Sequence, residues 1–236
     1  MLLAAGRGER MRPLTDTCPK PLLKVRGRPL IVWHVLNLVR AGITEIVINH
    51  AYLGHMIEAA LGDGAQFGAS IAYSAEGTAL ETAGGIAKAR HLLGDEPFVV
   101  ISSDIYCPHF DFAQVRNTLE DSDVWGNPYP RDKRDIAWLY MVKNPTYHPL
   151  GDFALNNFTL ANEGEPTYTF GNIGIYRPEM FDRIEPGQHA MLVTLLREYA
   201  ARDQIGGELY RGEWVNVGTP EELAQLNLPL SERNRP

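Results

Sequence analysis

The sequence predicts an α/β fold in which a parallel sheet is covered by helices on both faces. First, short apolar segments alternate with segments of helical period through residue 104. Second, the strand-like segments are almost continuously apolar, as in Phe98–Ser102, which is typical of parallel strands buried on both faces. Third, 236 residues with 44% hydrophobic composition can bury a substantial core. Such strand–helix–strand units cross over in the right-handed sense.

The elements of the first half are bounded by glycine and proline. Pro29 suits the first turn of a helix, and Gly42 is placed to end that helix. Three helices, each followed by a glycine, are predicted over Leu30–Val39, Leu53–Leu61 and, from a start near Gly84–Gly85, Ile86–Leu93. The predicted strands are Leu2–Ala4, Glu45–Asn49, Ser70–Ser74 and Phe98–Ser102, and residues 6–20 are predicted to form a long loop.

The second half has a different pattern, and we expect a longer, mixed sheet there. Residues 144–168 are rich in Asn, Gly, Pro and Thr, which indicates a loop or hairpin region. Thr219 precedes Pro220 and two glutamates, the signature of a capped helix start. The other predicted elements are strands at Ile136–Val142, Phe170–Tyr176 and Glu213–Val217 and an amphipathic helix at Ala190–Arg202.

Composition excludes several classes of function. The net charge of −7 argues against a general nucleic-acid or membrane-surface binder, and no apolar run has the length of a membrane span. Arg7 and Arg10 interrupt the N-terminal apolar segment, so we expect no signal peptide and a cytoplasmic protein. Cys18 and Cys107 are expected to be free thiols in that reducing compartment, without a metal-thiolate site.

A positive island at the N-terminus is the clearest functional signal. Residues 1–28 contain seven basic and two acidic residues, a local net charge of +5 that leaves −12 for the rest of the chain. Gly6 and Gly8 allow backbone N–H groups to close on phosphate oxygens, and arginines supply forked donors. The pattern lacks the Gly-Lys-Ser/Thr of a Walker loop and the third glycine of a dinucleotide fingerprint. It predicts a bound phosphate-rich anion, the alternative being a surface loop that is merely basic.

Asp104 follows the apolar strand Phe98–Ser102, where ligands of open α/β sheets bind. A carboxylate at that edge, opposite a phosphate-binding loop, is suited to Mg²⁺, which favours oxygen ligands shared with phosphate. The alternative is an aspartate that caps the next turn.

Residues 3–22, Leu-Ala-Ala-Gly-Arg-Gly-Glu-Arg-Met-Arg-Pro-Leu-Thr-Asp-x-x-Pro-Lys-Pro-Leu, resemble the signature of the sugar-1-phosphate nucleotidyltransferases. The resemblance extends to about residue 226 through further motifs: Pro29–Ile31, Glu45–Asn49, Glu81–Ile86, Asp104, Gly171–Tyr176 and Trp214–Glu221. Within this family, Ile48–His50 and the Leu-Glu-Thr-x-Gly-Gly-Ile pattern are most similar to the bacterial N-acetylmuramate α-1-phosphate uridylyltransferases of cell-wall sugar recycling.

The resemblance implies a Rossmann-like nucleotidyltransferase fold, a three-layer α/β/α arrangement with a mixed, mostly parallel sheet. It implies conversion of an NTP and a sugar 1-phosphate to an NDP-sugar and pyrophosphate, with UTP and N-acetylmuramate 1-phosphate as the expected pair. A phosphate monoester is already an oxyanion near neutral pH, so the reaction requires charge neutralisation and in-line placement rather than a general base. We expect one domain over residues 1–228, with nucleotide-binding half 1–110, sugar-binding half 111–228 and a loose tail at 229–236.

The family pattern also assigns roles to single residues. Arg10 is expected to hold the β- and γ-phosphates, and Lys20 to lie between the α-phosphate and the sugar phosphate. Gly151 and Asn172 are expected at the sugar, although Asn172 is equally explained as a strand residue of the sheet core. The other nucleotide-binding positions implied are Ala4, Ala5, Gly6, Gly8, Thr82 and Gly84, the last being equally explained as a helix start.

Two departures from the family pattern bear on activity. Asn216 stands where the family usually has the second aspartate that holds Mg²⁺ with Asp104, and Ser103 replaces the usual glycine before Asp104. Asn216 keeps an acceptor oxygen but loses a charge. The neutral Asn216 leaves a non-catalytic NDP-sugar-binding regulatory protein as one alternative. A mannose- or glucose-1-phosphate nucleotidyltransferase is the other. A glycosyltransferase would need an Asp-x-Asp that Ser102–Asp104 does not supply. The sequence leaves the nucleobase, the sugar and the oligomeric state open.

Overall fold

The computed structural model describes residues 1–120 and 135–229, which group into two compact units. The first unit contains Leu2–Ala79, Ser102–Phe110 and the described residues from Glu213 onward. The second unit contains Met1, Leu80–Ile101 and the described residues of Asp111–Gly212. The expected domain 1–228 and its halves stay predictions, and of the tail 229–236 only the first residue is described.

The described strands are β1 (Leu2–Ala4), β2 (Lys24–Val25), β3 (Arg28–Pro29), β4 (Glu45–His50), β5 (Ser70–Ala75), β6 (Phe98–Ser102), β7 (Ile105–Tyr106), β8 (Ala137–Val142), β9 (Phe153–Asn156), β10 (Thr159–Ala161), β11 (Thr167–Tyr176), β12 (Ile205–Leu209) and β13 (Val215–Asn216). The α-helices are α1 (Leu30–Arg40), α2 (Gly54–Leu61), α3 (Glu81–Leu93), α4 (Phe112–Glu120), α5 (Leu192–Ala200) and α6 (Pro220–Asn227). None of the helices in these ranges is long and apolar enough to cross a membrane.

The first unit is organised by parallel strands in the order β5-β4-β1. Leu2 of β1 lies opposite Ile48 of β4, and Glu45 of β4 lies opposite Ser70 of β5. The short strands form two antiparallel pairs, β2 with β3 and β7 with β13. Alternation of strand and helix thus gives the parallel pairing that the apolar strands predicted.

The hydrophobic core beneath the basic loop draws on three separate parts of the sequence. Its buried members are Met11, Leu23, Val25, Leu30, Tyr106, Val217, Leu223 and Leu226. The side-chain amide of Asn227 adds a polar clamp, because Nδ2 donates to the Lys24 carbonyl at 3.0 Å and Oδ1 accepts from the Arg26 N–H at 2.8 Å. Burial of this cluster therefore ties α6 to the chain on both sides of β2.

The second unit contains a mixed set of strands in the order β6-β11-β8-β12-β10-β9, and β9 also pairs with β11. Only β12 and β8 are parallel among its described pairs. β9 and β10 form a hairpin whose two turn residues, Asn157 and Phe158, have φ of 47° and 65°. Two left-handed residues match the right-handed strand twist in such a turn, which places a hairpin within residues 144–168 as predicted.

The predicted start of α3 was three residues too late. Helix α3 begins at Glu81, so Gly84 and Gly85 are buried residues three and four positions into the helix. A Cβ on Gly84 would lie 2.3 Å from the Gln188 carbonyl oxygen, and the Gly84 N–H donates to the Ala190 carbonyl at 3.1 Å. Gly84 is therefore required for close backbone packing. Helix α4, strand β12 and the short strands β2, β3 and β7 were not predicted.

Candidate active site

The loop after β1 is folded around Gly8. Gly8 has φ of 67°, and a Cβ there would lie 3.1 Å from both Lys20 Cβ and Thr15 Cγ2. The Thr15 hydroxyl donates to the Gly8 carbonyl at 2.8 Å, and the Met11 N–H donates to the same oxygen at 2.9 Å. Gly6 differs, because no atom of the described chain lies within 4 Å of its built Cβ. The loop is thus packed at Gly8 and open at Gly6, where a ligand can approach the backbone.

An aromatic contact holds the outer part of this loop. The Tyr52 hydroxyl lies within hydrogen-bond distance of the carbonyls of Thr15 and Asp16, at 3.0 and 3.1 Å. The Arg7 guanidinium lies 5.2 Å from the centre of the Tyr52 ring, a cation–π distance. Tyr52 therefore fixes the loop while Arg7 remains largely exposed.

The start of the loop is held by a buried polar network that the sequence analysis missed. The Ala4 N–H donates to Asn49 Oδ1 at 3.1 Å, and Asn49 Nδ2 donates to Glu76 Oε1 at 2.6 Å. Asn49 and Glu76 are both buried. Buried polar groups are costly unless hydrogen-bonded, so this satisfied network rigidifies the strand end that carries Ala4 and Ala5.

Lys20 and Asp104 form the central ion pair of the first unit. Lys20 Nζ lies 2.7 Å from Asp104 Oδ2, and the two side chains are 10% and 34% exposed. The Val217 N–H donates to the Asp104 carbonyl at 2.8 Å. The neighbouring Ser103 hydroxyl donates to the Leu3 carbonyl at 2.6 Å, so the serine ties the residue before Asp104 to β1. Two residues 84 positions apart in the sequence are thereby held in contact.

Asn216 lies on the short strand that pairs with the segment after Asp104. It is in register with Ile105, and its Oδ1 is buried without a hydrogen-bond partner among the described residues. A buried unsatisfied acceptor costs about 1–3 kcal/mol, which favours a missing ligand at that atom. A carboxylate and an amide oxygen are donors of the kind Mg²⁺ takes, so this chemistry fits the predicted metal ligands. Within the described ranges, no three His, Cys, Asp or Glu residues cluster as a metal site.

Arg10 packs against the start of α6. A Cβ on Gly218 would lie 3.4 Å from Arg10 Nη2 and 3.2 Å from Glu222 Oε2. Glu222 Oε2 accepts the N–H groups of Gly218 and Thr219 at 2.6 and 2.9 Å, and the Thr219 hydroxyl accepts from the Glu222 N–H at 3.2 Å. This capping box confirms the helix start predicted at Thr219 and places the Arg10 guanidinium beside a rigid turn.

Helix α1 supports the strand that follows Asp104. His34 Nε2 lies 2.8 Å from the Ile105 carbonyl oxygen, so Nε2 carries the proton and donates. The other ring nitrogen, Nδ1, is buried and has no partner in the described chain. Desolvation by burial lowers the pKa of His34 to about 4, against smaller opposing effects of the Ile105 hydrogen bond and the Asp104 charge. His34 is therefore neutral near pH 7.

The remaining predicted site residues lie in the second unit. Thr82 and Gly84 lie in the first turn of α3, after Glu81, which has φ of 62°. Gly151 has φ of 63°, and a Cβ there would lie 2.8 Å from the Tyr168 carbonyl oxygen. Asn172 has φ of 59° and lies where the pairing of β11 with β8 is interrupted. Arg10, Lys20, Asp104, Asn216 and the loop Ala4–Gly8 all lie in the first unit.

Both cysteines are free thiols, as predicted. Burial raises the pKa of the Cys107 thiol to about 12 and also raises the pKa of Cys18. Neither thiol is therefore activated as a nucleophile.

A parallel sheet, a glycine–arginine loop after its first strand and a lysine–carboxylate pair define an α/β enzyme that handles phosphate groups. The sequence profile of the family described as "Nucleotidyl transferase" matches residues 1–125. The chain is 48% identical over 223 residues to the N-acetylmuramate alpha-1-phosphate uridylyltransferase of Neisseria meningitidis serogroup B, covering 93% of this chain and 92% of that protein. The chain therefore belongs to the nucleotidyl transferase family, as an enzyme of the sugar-1-phosphate nucleotidyltransferase class.

Other relatives span a wider range of substrates. The chain is 30% identical to a mannose-1-phosphate guanyltransferase of Schizosaccharomyces pombe over 94% of this chain, and it spans 61% of that relative's length. A Bacillus anthracis structure described as a glucose-1-phosphate thymidylyltransferase matches with a TM-score of 0.80 and 21% identity, over 100% of this chain and 95% of that chain. A structure of apo UDP-glucose pyrophosphorylase matches with a TM-score of 0.70 and 17% identity, over 96% and 95%. These matches confirm the predicted α/β, Rossmann-like nucleotidyltransferase fold.

Proposed function

We propose that the protein transfers the uridylyl group of UTP to N-acetylmuramate 1-phosphate, releasing pyrophosphate. The Lys20–Asp104 pair carries the chemical part of this proposal, because it holds an ammonium and a carboxylate 2.7 Å apart beside the glycine–arginine loop. The choice of substrates is supported by the 48% identical relative, which is a uridylyltransferase of that sugar phosphate. We place the reaction in the recycling of cell-wall sugars in the cytoplasm.

The reaction is a displacement at the α-phosphorus of UTP. A phosphate oxygen of the sugar 1-phosphate forms the new bond to that phosphorus, while its bond to the bridging β-phosphate oxygen breaks and pyrophosphate leaves with the electron pair. The attacking phosphate is already ionised near pH 7, so no residue has to remove a proton. The protein's task is to position both substrates and to stabilise charge.

The basic side chains of the first unit divide this work. The Lys20 ammonium, held by Asp104, would neutralise the α-phosphate and the incoming sugar phosphate. Arg10, beside Gly218, would hold the β- and γ-phosphates that become pyrophosphate. The backbone of Ala4–Gly6, anchored through Asn49, is the nucleoside contact, and Gly6 leaves room for close approach.

Asp104 and Asn216 are the residues that would hold Mg²⁺. The ion would supply positive charge to the triphosphate, as is usual for ions that bind through one or two carboxylates and substrate phosphates. With a single charged ligand in the protein, we expect metal affinity to depend strongly on bound nucleotide. The sugar is assigned to the second unit at Gly151 and Asn172, and Thr82 and Gly84 to the base.

A matrix of substrates tests the proposal. Pyrophosphate release should be measured for UTP, GTP, CTP and dTTP against the 1-phosphates of N-acetylmuramate, N-acetylglucosamine, glucose and mannose. We expect the largest kcat/KM for UTP with N-acetylmuramate 1-phosphate. Faster turnover of glucose or mannose 1-phosphate would overturn the substrate assignment and leave the family chemistry intact.

A non-catalytic NDP-sugar-binding protein is the second candidate, and the neutral Asn216 is the feature that favours it. This candidate predicts no pyrophosphate release from any pair, together with tight binding of an NDP-sugar. Isothermal titration with UDP-N-acetylmuramate in parallel with the matrix separates the two functions.

A further inference from the structure

Strand β11 is interrupted at the position of Asn172. Its pairing with β8 is regular up to Phe170 opposite Met141 and resumes at Gly174 opposite Leu139. Three residues of β11 therefore face one residue of β8, and the central one, Asn172, has φ of 59°. A left-handed residue other than glycine inside a strand is strained and persists only when its surroundings hold it. The contacts around the bulge therefore show which residues stabilise the conformation of Asn172.

The side chain of Asp152 holds the start of the bulge. Strand β9 begins at Phe153, which lies opposite Tyr168 of β11. One residue earlier, the Asp152 N–H donates to the Tyr168 carbonyl at 2.8 Å, and Asp152 Oδ2 accepts the Phe170 N–H at 2.7 Å. Strand β9 does not extend far enough to pair with Phe170, the last regularly paired residue before the bulge. The Asp152 carboxylate takes the place of that strand partner by accepting the Phe170 N–H.

Asp152 is itself held from two sides. His148 Nε2 lies 3.1 Å from Asp152 Oδ1, and Arg197 Nη2 donates to the Asp152 carbonyl at 3.3 Å. Gly151, immediately before it, approaches the Tyr168 backbone so closely that a Cβ would lie 2.8 Å from the carbonyl oxygen. These contacts leave the carboxylate little freedom to leave Phe170.

The segment before Asp152 is fastened to the same strand. Asn144 Nδ2 donates to the Pro149 carbonyl at 3.1 Å and to the Thr167 carbonyl at 3.2 Å, and Asn144 Oδ1 accepts from the Thr169 hydroxyl at 2.9 Å. Segment 144–152 and the first residues of β11 therefore form one hydrogen-bonded block, of which Asp152 is the member next to the bulge.

We propose that Asp152 is a positioning residue for the sugar 1-phosphate: its bond to the Phe170 N–H fixes the bulge and presets the left-handed conformation in which Asn172 meets the sugar. This inference rests on the proposed function, in which Asn172 contacts the sugar. Preorganisation of a polar contact raises affinity by removing the cost of ordering it on binding. Loss of the Asp152 contact should therefore weaken binding of the sugar 1-phosphate and leave binding of UTP unchanged.

Asp152→Ala removes the acceptor and is the main test, with Asp152→Ser as a second removal variant whose shorter side chain cannot reach Phe170. Asp152→Asn keeps an acceptor oxygen. Asp111→Ala is a matched control, because Asp111 also accepts a backbone N–H, that of Ala113 at 3.0 Å, in the same unit. KM is measured for the sugar 1-phosphate at saturating UTP and for UTP at saturating sugar, and the melting temperature is recorded for each variant.

We expect Asp152→Ala to raise the KM for the sugar 1-phosphate by about tenfold or more while the KM for UTP changes less than about twofold. Asp152→Asn should restore the sugar KM to within about threefold of wild type, and Asp111→Ala should leave both constants unchanged. A parallel rise of both KM values, or an unchanged sugar KM in the Ala and Ser variants, would overturn the inference. Absence of turnover by the wild-type enzyme with every sugar would instead remove the proposed function, and this inference with it.

Discussion

The loop after β1 and the bulge of β11 each contain a left-handed residue, and the two regions use that residue in different ways. In the loop after β1 the residue is glycine, Gly8, packed against Thr15 and Lys20. In the bulge of β11 it is Asn172, whose conformation is held by neighbouring contacts. A phosphate loop works through its backbone and through cations placed around it, so it needs no side chain at the turn. A sugar offers hydroxyl and amide groups, and an asparagine at the turn can meet them with its own amide.

The largest effect is expected at Asp104, whose carboxylate pairs with Lys20 at the end of the loop after β1. Asp104→Asn keeps the size of the side chain but removes the charge that pairs with Lys20 and that would hold Mg²⁺. We expect turnover to fall by a factor of about 1,000 or more, because transition-state charge would lose both its fixed cation and its metal. Pyrophosphate release at saturating Mg²⁺ measures this. Turnover within about tenfold of wild type would contradict the assigned role.

The next largest effect is expected for the two cations. Lys20→Ala and Arg10→Ala should each lower kcat/KM by about 100-fold, equivalent to about 3 kcal/mol of transition-state stabilisation. Lys24→Ala is the matched control, because Lys24 is an exposed cation on β2 outside the site. If the Lys24 variant loses as much activity as the other two, the contribution of the loop to catalysis comes from its overall positive charge and not from the positions of Lys20 and Arg10.

The buried, neutral His34 predicts how the free energy of unfolding depends on pH. His34 has its pKa lowered from 6.5 to about 4 by burial. Between these values the unfolded chain binds a proton that the folded chain does not, so His34 lowers the free energy of unfolding as the pH falls from about 6.5 to about 4. The loss should total about 3 kcal/mol, with no further contribution below that range.

Urea unfolding of wild type and His34→Gln at pH 7.5, 6, 5 and 4.5 isolates this contribution. Glutamine retains a side-chain N–H donor but does not titrate. The difference between the two proteins should change with pH in the stated direction. A constant difference would show that His34 is not buried and neutral in solution.

Exchange of residue types at the two turns gives opposite changes in stability. Gly8→Ala should destabilise by about 1–2 kcal/mol, since it combines a left-handed alanine with a 3.1 Å approach to two side chains. Asn172→Gly relieves strain at φ of 59° and should leave stability unchanged or slightly raised while it weakens sugar binding. Denaturant midpoints of the two variants, with the sugar KM of the second, measure this. A destabilising Asn172→Gly would mean that the bulge is not strained.

The smallest effect is expected from adding a charge at Asn216. Asn216→Asp converts the unpartnered Oδ1 into a carboxylate oxygen and should lower the Mg²⁺ concentration for half-maximal rate by about threefold to tenfold. Mn²⁺ binding without nucleotide, followed by electron paramagnetic resonance, should tighten in the same variant. An unchanged midpoint in both measurements would exclude residue 216 as a ligand.

The sequence predicted the parts of this molecule whose chemistry is local. The roles proposed for Gly8 and Asp104 can be inferred from adjacent residues alone. Gly8 has arginines next to it in the sequence, and Asp104 follows an apolar strand. Asn49, Glu76 and His34 were missed because a polar residue inside an apolar strand or helix, or directly after a strand as Glu76 is, gives no sign of its partner, which lies 27 to 71 positions away. The motif names Asn172 as a sugar-binding residue, which stays a prediction, but it could not predict the left-handed φ of 59° there. The contact of Gly84 with the Gln188 carbonyl could not be predicted for the same reason, because that carbonyl is 104 positions away in the sequence.

The core beneath the loop also sets the order of events while the chain is being made. Met11, Tyr106 and Leu223 of that core leave the ribosome in this order, with about a hundred residues made between one and the next, and Asn227 emerges after all three. The basic loop therefore remains without its full support until more than two hundred residues after Met11 have been made. A chain halted before α6 would lack the Asn227 clamp. We therefore expect the basic loop to gain its full support in one late step, after α6 has emerged, rather than gradually during translation.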